Sequence, residues 1–116
     1  MRLQEKLGRY CKEKQYADAL EIMLKTASVS YQREPAIHFE LSEETVKGNR
    51  ADFIVENKIL IELKTIPYIT KRDYYQTMRY LKAANLKLGL LINFRSEYLK
   101  PKRILNSSYR VSQHSH

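Results

Sequence analysis

Two runs of apolar residues at helical spacing open the chain. Leu3, Leu7 and Tyr10 form one stripe, and Tyr16, Leu20, Met23, Leu24 and Ala27 form a second. At about 100° per residue the stripes point in different directions, which predicts a bend or break near Gly8 to Lys12. Glu13 lies three and seven residues before Tyr16 and Leu20, so it shares the face that the second helix should bury. From Val29 the period falls to two. Ile37, Phe39 and Leu41 alternate with polar neighbours, which predicts a strand beginning near Tyr31. After the polar link Ser42-Glu43-Glu44 and the turn residues Gly48-Asn49, a second extended run covers Arg50 to Val55. Glu56-Asn57-Lys58 makes a tight turn into Ile59 to Thr65, so these two strands should form an antiparallel hairpin. Pro67 stops the second strand or the loop after it. Thr70 reads as an N-cap, with Asp73 as its capping-box partner, and Tyr74, Met78 and Leu81 supply the buried stripe of a helix ending near Asn85. Leu88 to Phe94 is apolar almost throughout, as an interior strand covered on both faces would be. Strand, helix and strand in that order form a crossover unit, so this last pair should be parallel. Tyr98 to Leu105 is expected to add a short edge element, and Asn106 to His116 to form a disordered tail.

The length adds a limit: 116 residues suffice for one domain, placed at 1–105, with no room for a separate recognition module. Charge changes the picture more. Lys and Arg number 21 against 13 for Asp and Glu, a formal net charge of +8, which favours polyanionic partners because phosphate neutralisation releases condensed counterions. Cys11 is the single cysteine, which excludes an intramolecular disulfide and a Cys-rich zinc site and fits a reducing compartment. The start of the chain carries mixed charge and no apolar core, so it does not read as a secretory signal. The longest apolar run, Leu88 to Phe94, is strand-sized and too short to span a bilayer. A soluble, cytoplasmic protein is expected.

Candidate chemistry lies in the hairpin. Asp52 stands in its first arm, and Glu62 and Lys64 in its second. Residues two apart on a strand face the same side, so Glu62-Leu63-Lys64 delivers a carboxylate and an ammonium to one place. Antiparallel pairing would bring the Asp52 and Glu62 carboxylates within reach of one cation. With the Leu63 backbone carbonyl they make a hard oxygen set suited to magnesium, or to manganese in its place. The lysine ammonium could orient or activate a water on that cation and neutralise phosphate charge. The bland alternative is an ordinary half-exposed hairpin whose charged residues point outward. Glu13 adds a third acid, and a buried carboxylate needs a metal or a salt bridge as partner. His38, His114 and His116 do not form a metal site. Arg50, Lys71, Arg72, Arg79, Lys100, Lys102 and Arg103 are candidates for phosphate contacts, with a solvated charged face as the default for each.

The runs Arg50-Ala51-Asp52-Phe53-Ile54-Val55 and Ile59-Leu60-Ile61-Glu62-Leu63-Lys64 resemble the core of the PD-(D/E)XK nuclease superfamily. The stretch from Glu13 to Leu105 resembles, more closely, the GxxExxY proteins within it. Tyr75-Gln76, Tyr80-Leu81-Lys82 and Leu88-Gly89-Leu90-Leu91-Ile92-Asn93-Phe94 match that family's helix and final strand, and Glu13 and Tyr16 fall on the Glu and Tyr of its name motif. The resemblance implies an α/β, restriction-endonuclease-like core with a mixed sheet and the order α-β-β-β-α-β. It implies Asp52 and Glu62 as metal ligands, Lys64 as the catalytic lysine, and Glu13 as a helical acid assisting through water on the metal. Gln76 corresponds to a helical glutamine often found near these sites. Two departures stand out: Ala51 replaces the superfamily's proline, and Tyr10 replaces the glycine of the name motif. The implied activity is metal-dependent hydrolysis of phosphodiester bonds in DNA, with RNA as the second choice. Rival readings are a non-catalytic nucleic-acid-binding module and an accessory subunit. A core this small cannot easily enclose a duplex and read its sequence as well, so dimerisation or weak specificity is expected.

Overall fold

The hairpin around Asp52 and Glu62 lies at the centre of a sheet, and everything else is arranged around it. The computed structural model describes residues 12–39, 49–96 and 98–111. The first helical stripe (Leu3, Leu7, Tyr10), Cys11, the link Ser42-Glu43-Glu44, Gly48, His114 and His116 lie outside the described residues. The described elements are α1 (Glu13–Thr26), β1 (Tyr31–Arg33), β2 (Phe53–Val55), β3 (Ile59–Lys64), α2 (Lys71–Ala84), β4 (Leu88–Asn93) and β5 (Lys102–Leu105). The five strands stand in the order β1-β2-β3-β4-β5. β1, β2 and β3 form an antiparallel meander, β3 and β4 are parallel across the α2 crossover, and β5 returns antiparallel to β4. This is the α/β mixed sheet that the pattern predicted.

Alternation along the strands builds a core on each face. Phe53, Val55, Ile61, Leu63, Ile92 and Phe94 pack with Tyr16 and Leu20 of α1. Ile54, Leu60, Leu91 and Ile104 pack on the other face with Tyr80 and Leu81 of α2. Leu60 to Leu63 are all buried, as expected of a strand covered on both sides. Local chemistry sets the boundaries. Gln15 accepts the Lys12 N–H at 2.9 Å to open α1. Thr70 and Asp73 exchange the two bonds of a capping box to open α2. Asn85 closes α2 in the left-handed region at φ 50°, and the Leu86 N–H returns to the Leu81 carbonyl at 2.9 Å. Glu56 and Asn57 both take φ 55°, the primed geometry that matches strand twist in a tight hairpin.

Three expectations shift. The predicted strand from Tyr31 toward Leu41 breaks after Arg33, because Glu34 turns left-handed (φ 53°) and Pro35 has no N–H to give. Pairing with the incoming chain resumes past the kink, where Ala51 N donates to Pro35 O at 3.2 Å and Ala36 bridges Arg50. Met23, expected in the α1 stripe, is 46% exposed, since it lies at the margin of the arc that Tyr16, Leu20 and Leu24 centre on the sheet. The expected tail boundary at Asn106 is not where contact with the core stops. Asn106 is buried, its amide donates to the Leu86 carbonyl at 3.0 Å, and Arg110 exchanges two bonds with the Asn85 side chain.

Candidate active site

The register of the hairpin decides where the acids fall. Phe53 pairs with Ile61, so one step further the antiparallel chains set Asp52 beside Glu62. There the side chains take over from the ladder. Asp52 N donates to Glu62 Oε1 at 3.3 Å, and Leu63 N donates to Asp52 Oδ2 at 2.6 Å. Each carboxylate is thus tied to the other's strand by one N–H, leaving most of its lone pairs free to bind a cation. A strand residue's N–H and C=O leave from the same edge, so the Leu63 carbonyl faces this gap as its N–H does. Glu62 is only 5% exposed. Burial, then repulsion by Asp52, pushes its pKa up to about 8, against the pull of Lys64. Asp52 is also raised, by burial first, with the Leu63 N–H and Lys64 opposing. Two neighbouring carboxylates that cannot comfortably hold both charges form a site needing a proton or a cation.

Lys64 ends β3 on the same side of the sheet as Glu62. Its Nζ lies 3.8 Å from Asp73 Oδ1, while Asp73 Oδ2 accepts from Thr70 N at 2.8 Å and Thr70 Oγ1 at 2.9 Å. Burial alone would raise the Asp73 carboxyl, but the Thr70 donors and Lys64 outweigh it and hold its pKa low. One acid therefore caps the helix and holds the lysine. The loop between them is clamped by Asn93, which donates from its amide to Ile66 O at 2.7 Å and accepts from Ile66 N at 3.1 Å. Sequence reasoning assigned Asp73 only to the cap and gave Asn93 no task. A polar residue ending an otherwise apolar strand was the available signal for Asn93.

Glu13 reaches the site from the opposite face. It is exposed rather than buried as expected, and its neighbours are Asp52, Lys64 and the Thr65 N–H at the end of β3 rather than core residues. Crowding by surrounding protein, then the Asp52 charge, raises the Glu13 pKa, while Lys64 and the Thr65 N–H oppose. The turn bearing it is held by Tyr16, fully buried and stacked on Phe94 at 4.0 Å between ring centres. Gln76 lies one turn after Asp73 on α2, where its amide donates to the Tyr80 hydroxyl at 3.3 Å. Among the described residues no three His, Cys, Asp or Glu side chains form a metal cage. A divalent cation here would meet two carboxylates and a carbonyl, a hard and incomplete set of oxygen ligands.

The basic candidates divide by face. Arg50 lies two residues before Asp52 and donates to Glu34 O at 2.9 Å. Lys71, Arg72 and Arg79 are exposed on α2, and Lys100 is exposed just before β5. Lys102 stands over the Tyr74 ring at 5.8 Å, which places it on the α2 side. Arg103, next along β5, points to the other face by alternation and does not join them.

The family profile described as the PD-(D/E)XK nuclease superfamily matches residues 1–104. The chain belongs to that superfamily. Its members are generally nucleases that use divalent metals on nucleic acid, and this PD-(D/E)XK chain carries Ala51-Asp52 and Glu62-Leu63-Lys64 in the order the name describes. Among solved structures, the one described as the crystal structure of SSO0001 superimposes with a TM-score of 0.64 at 24% identity, over 81% of this chain and 50% of that one. That likeness concerns the fold, and the PD-(D/E)XK chain spans half the length of that protein. No curated protein matches it in sequence. Among the described residues no helix is long and apolar enough to cross a membrane.

Proposed function

We propose that this chain is a magnesium- or manganese-dependent nuclease that hydrolyses phosphodiester bonds in DNA, and that it belongs to the GxxExxY group within its superfamily. The carrying observation is the reciprocal clamp of Asp52 and Glu62 across β2 and β3, with Lys64 beside it. Asp52, Glu62 and the Leu63 carbonyl would hold the cation, which when bound supplies positive charge to the reacting phosphate and makes water more acidic. Lys64 would neutralise charge developing on a non-bridging phosphate oxygen and orient the attacking water. Glu13, its pKa raised by crowding and the Asp52 charge, would take that water's proton as the oxygen closes on phosphorus and the ester oxygen departs.

The test is cleavage of labelled single-stranded, duplex and branched DNA with magnesium or manganese. Wild type should cut. Glu62→Gln and Lys64→Ala should each lose about 100-fold or more, the usual cost of removing one electrostatic group from such a site. Equal cleavage by wild type and both variants would assign the activity to a contaminant. DNA binding that persists in chelator, with no cleavage in either metal, would select a non-catalytic binding module instead.

A further inference from the structure

The solvent face of α2 carries a feature that the acid site does not use. Lys71, Tyr75, Arg79 and Lys82 follow one another at helical spacing, with Arg72 beside them, and all are exposed. They lie opposite the buried Thr77, Tyr80 and Leu81. At 1.5 Å per residue the ridge runs about 16 Å, room for several nucleotides. Tyr75 is 60% exposed, and Tyr68, three residues before Lys71, is 81% exposed. The Tyr75 ring has a partner, and the backbone beside Tyr68 is anchored. Tyr75 meets Tyr74 edge-on at 5.5 Å and 78°, and Tyr74 in turn lies under Lys102. Tyr68 sits in the loop that Asn93 clamps at Ile66, and Ile69 beside it packs into the core. That loop leaves β3 directly after Lys64.

From this alternation of cations with exposed rings we infer that the ridge is a tract for an unpaired nucleic-acid strand leading to the Asp52–Glu62 site, so that the substrate is single-stranded DNA or the unpaired part of a branched one. The inference rests on the nuclease reading for its direction toward the acids. Cations alone would serve a duplex equally well. Exposed rings would not, because the faces of paired bases are hidden within the stack, whereas every base of a single strand offers a face to tyrosine. The basic side chains supply the charge complement to the phosphates between those bases.

The experiment is fluorescence anisotropy of the full chain with a labelled oligothymidylate and with a duplex of equal length, in chelator so that nothing is cut. Wild type should prefer the single strand. Tyr68→Ala and Tyr75→Ala should each weaken it about 5- to 100-fold and leave the duplex unaffected, while Tyr68→Phe and Tyr75→Phe should bind as wild type. Arg79→Ala should weaken both ligands and flatten the salt dependence. Wild-type preference for duplex, or alanine variants that bind the single strand normally or lose both ligands equally, would overturn the tract. Because binding is read without metal, loss of the cleavage reading would leave this result standing, and cleavage of duplex DNA with indifferent tyrosines would do the reverse.

Discussion

Glu62 is the residue on which stability and chemistry meet. Its carboxyl titrates near pH 8 in the fold against an ordinary value of 4.5, so the folded protein keeps a proton that the unfolded chain releases. Between those two pH values the folded state binds more protons than the unfolded one, and stability must fall as pH rises. The raised Asp52 works in the same direction. Thermal unfolding without divalent metal should therefore show highest stability near pH 5 and a decline toward pH 8, on the order of a few kcal/mol. Glu62→Gln should flatten most of that decline, and added magnesium should raise the melting temperature more at pH 8 than at pH 5. A metal-free protein that gains stability over this range would contradict the buried acid pair. The identities at 52, 62 and 64 were legible because their spacing on a hairpin is itself geometric. The second duty of Asp73 was not, since nothing local tells a capping carboxylate that a lysine from another strand will arrive.

Among the elements, α2 and α1 hold the two sides of the site, and each depends on a close contact. A Cβ built on Gly89 of β4 would stand 3.1 Å from both Leu81 Cδ1 and Thr77 Cγ2 of α2, so the helix lies almost directly on the strand backbone. Gly89→Val should push α2 outward and cost about 1–3 kcal/mol. Tyr16→Ala should cost about 3–5 kcal/mol by removing a fully buried ring, and should release the turn bearing Glu13. Chemical denaturation of both variants checks these values; a neutral Gly89→Val would show that Leu81 and Thr77 can step aside. The helices and strands themselves were readable from period and caps. The kink at Glu34-Pro35 was not foreseen, although the proline was visible, because pairing across it depends on Arg50 and Ala51 arriving from far along the chain.

At the scale of the whole molecule, Arg50 stands two residues before Asp52, Lys71 and Arg72 open α2 after the loop from Lys64, and Lys100 and Lys102 stand at the start of β5, while Arg103 faces away. Nucleic-acid affinity should fall steeply with salt, with a log–log slope of about −4 if six of the basic side chains, Arg79 included, meet phosphates. Lys71→Ala or Lys102→Ala should each reduce that slope by close to one contact, whereas Arg103→Ala should leave it unchanged. A titration in which all three variants behave alike would show that net charge, and not its placement, governs binding.

Periodicity and turn chemistry by themselves determined the order of elements, the antiparallel hairpin, the parallel pair and the strand positions of Glu62 and Lys64, with Asp52 just ahead of β2, because these follow from interactions a few residues long. Only the tertiary structure decided which groups share a site. It tied the Asp52 N–H to the Glu62 carboxylate and the Leu63 N–H to the Asp52 carboxylate, brought Asp73 to Lys64, set Glu13 near Asp52 and Lys64 instead of in the core, and bonded Gln76 to Tyr80. Those outcomes depend on where packed layers end, and a layer's edge is set by contacts between segments distant in the chain.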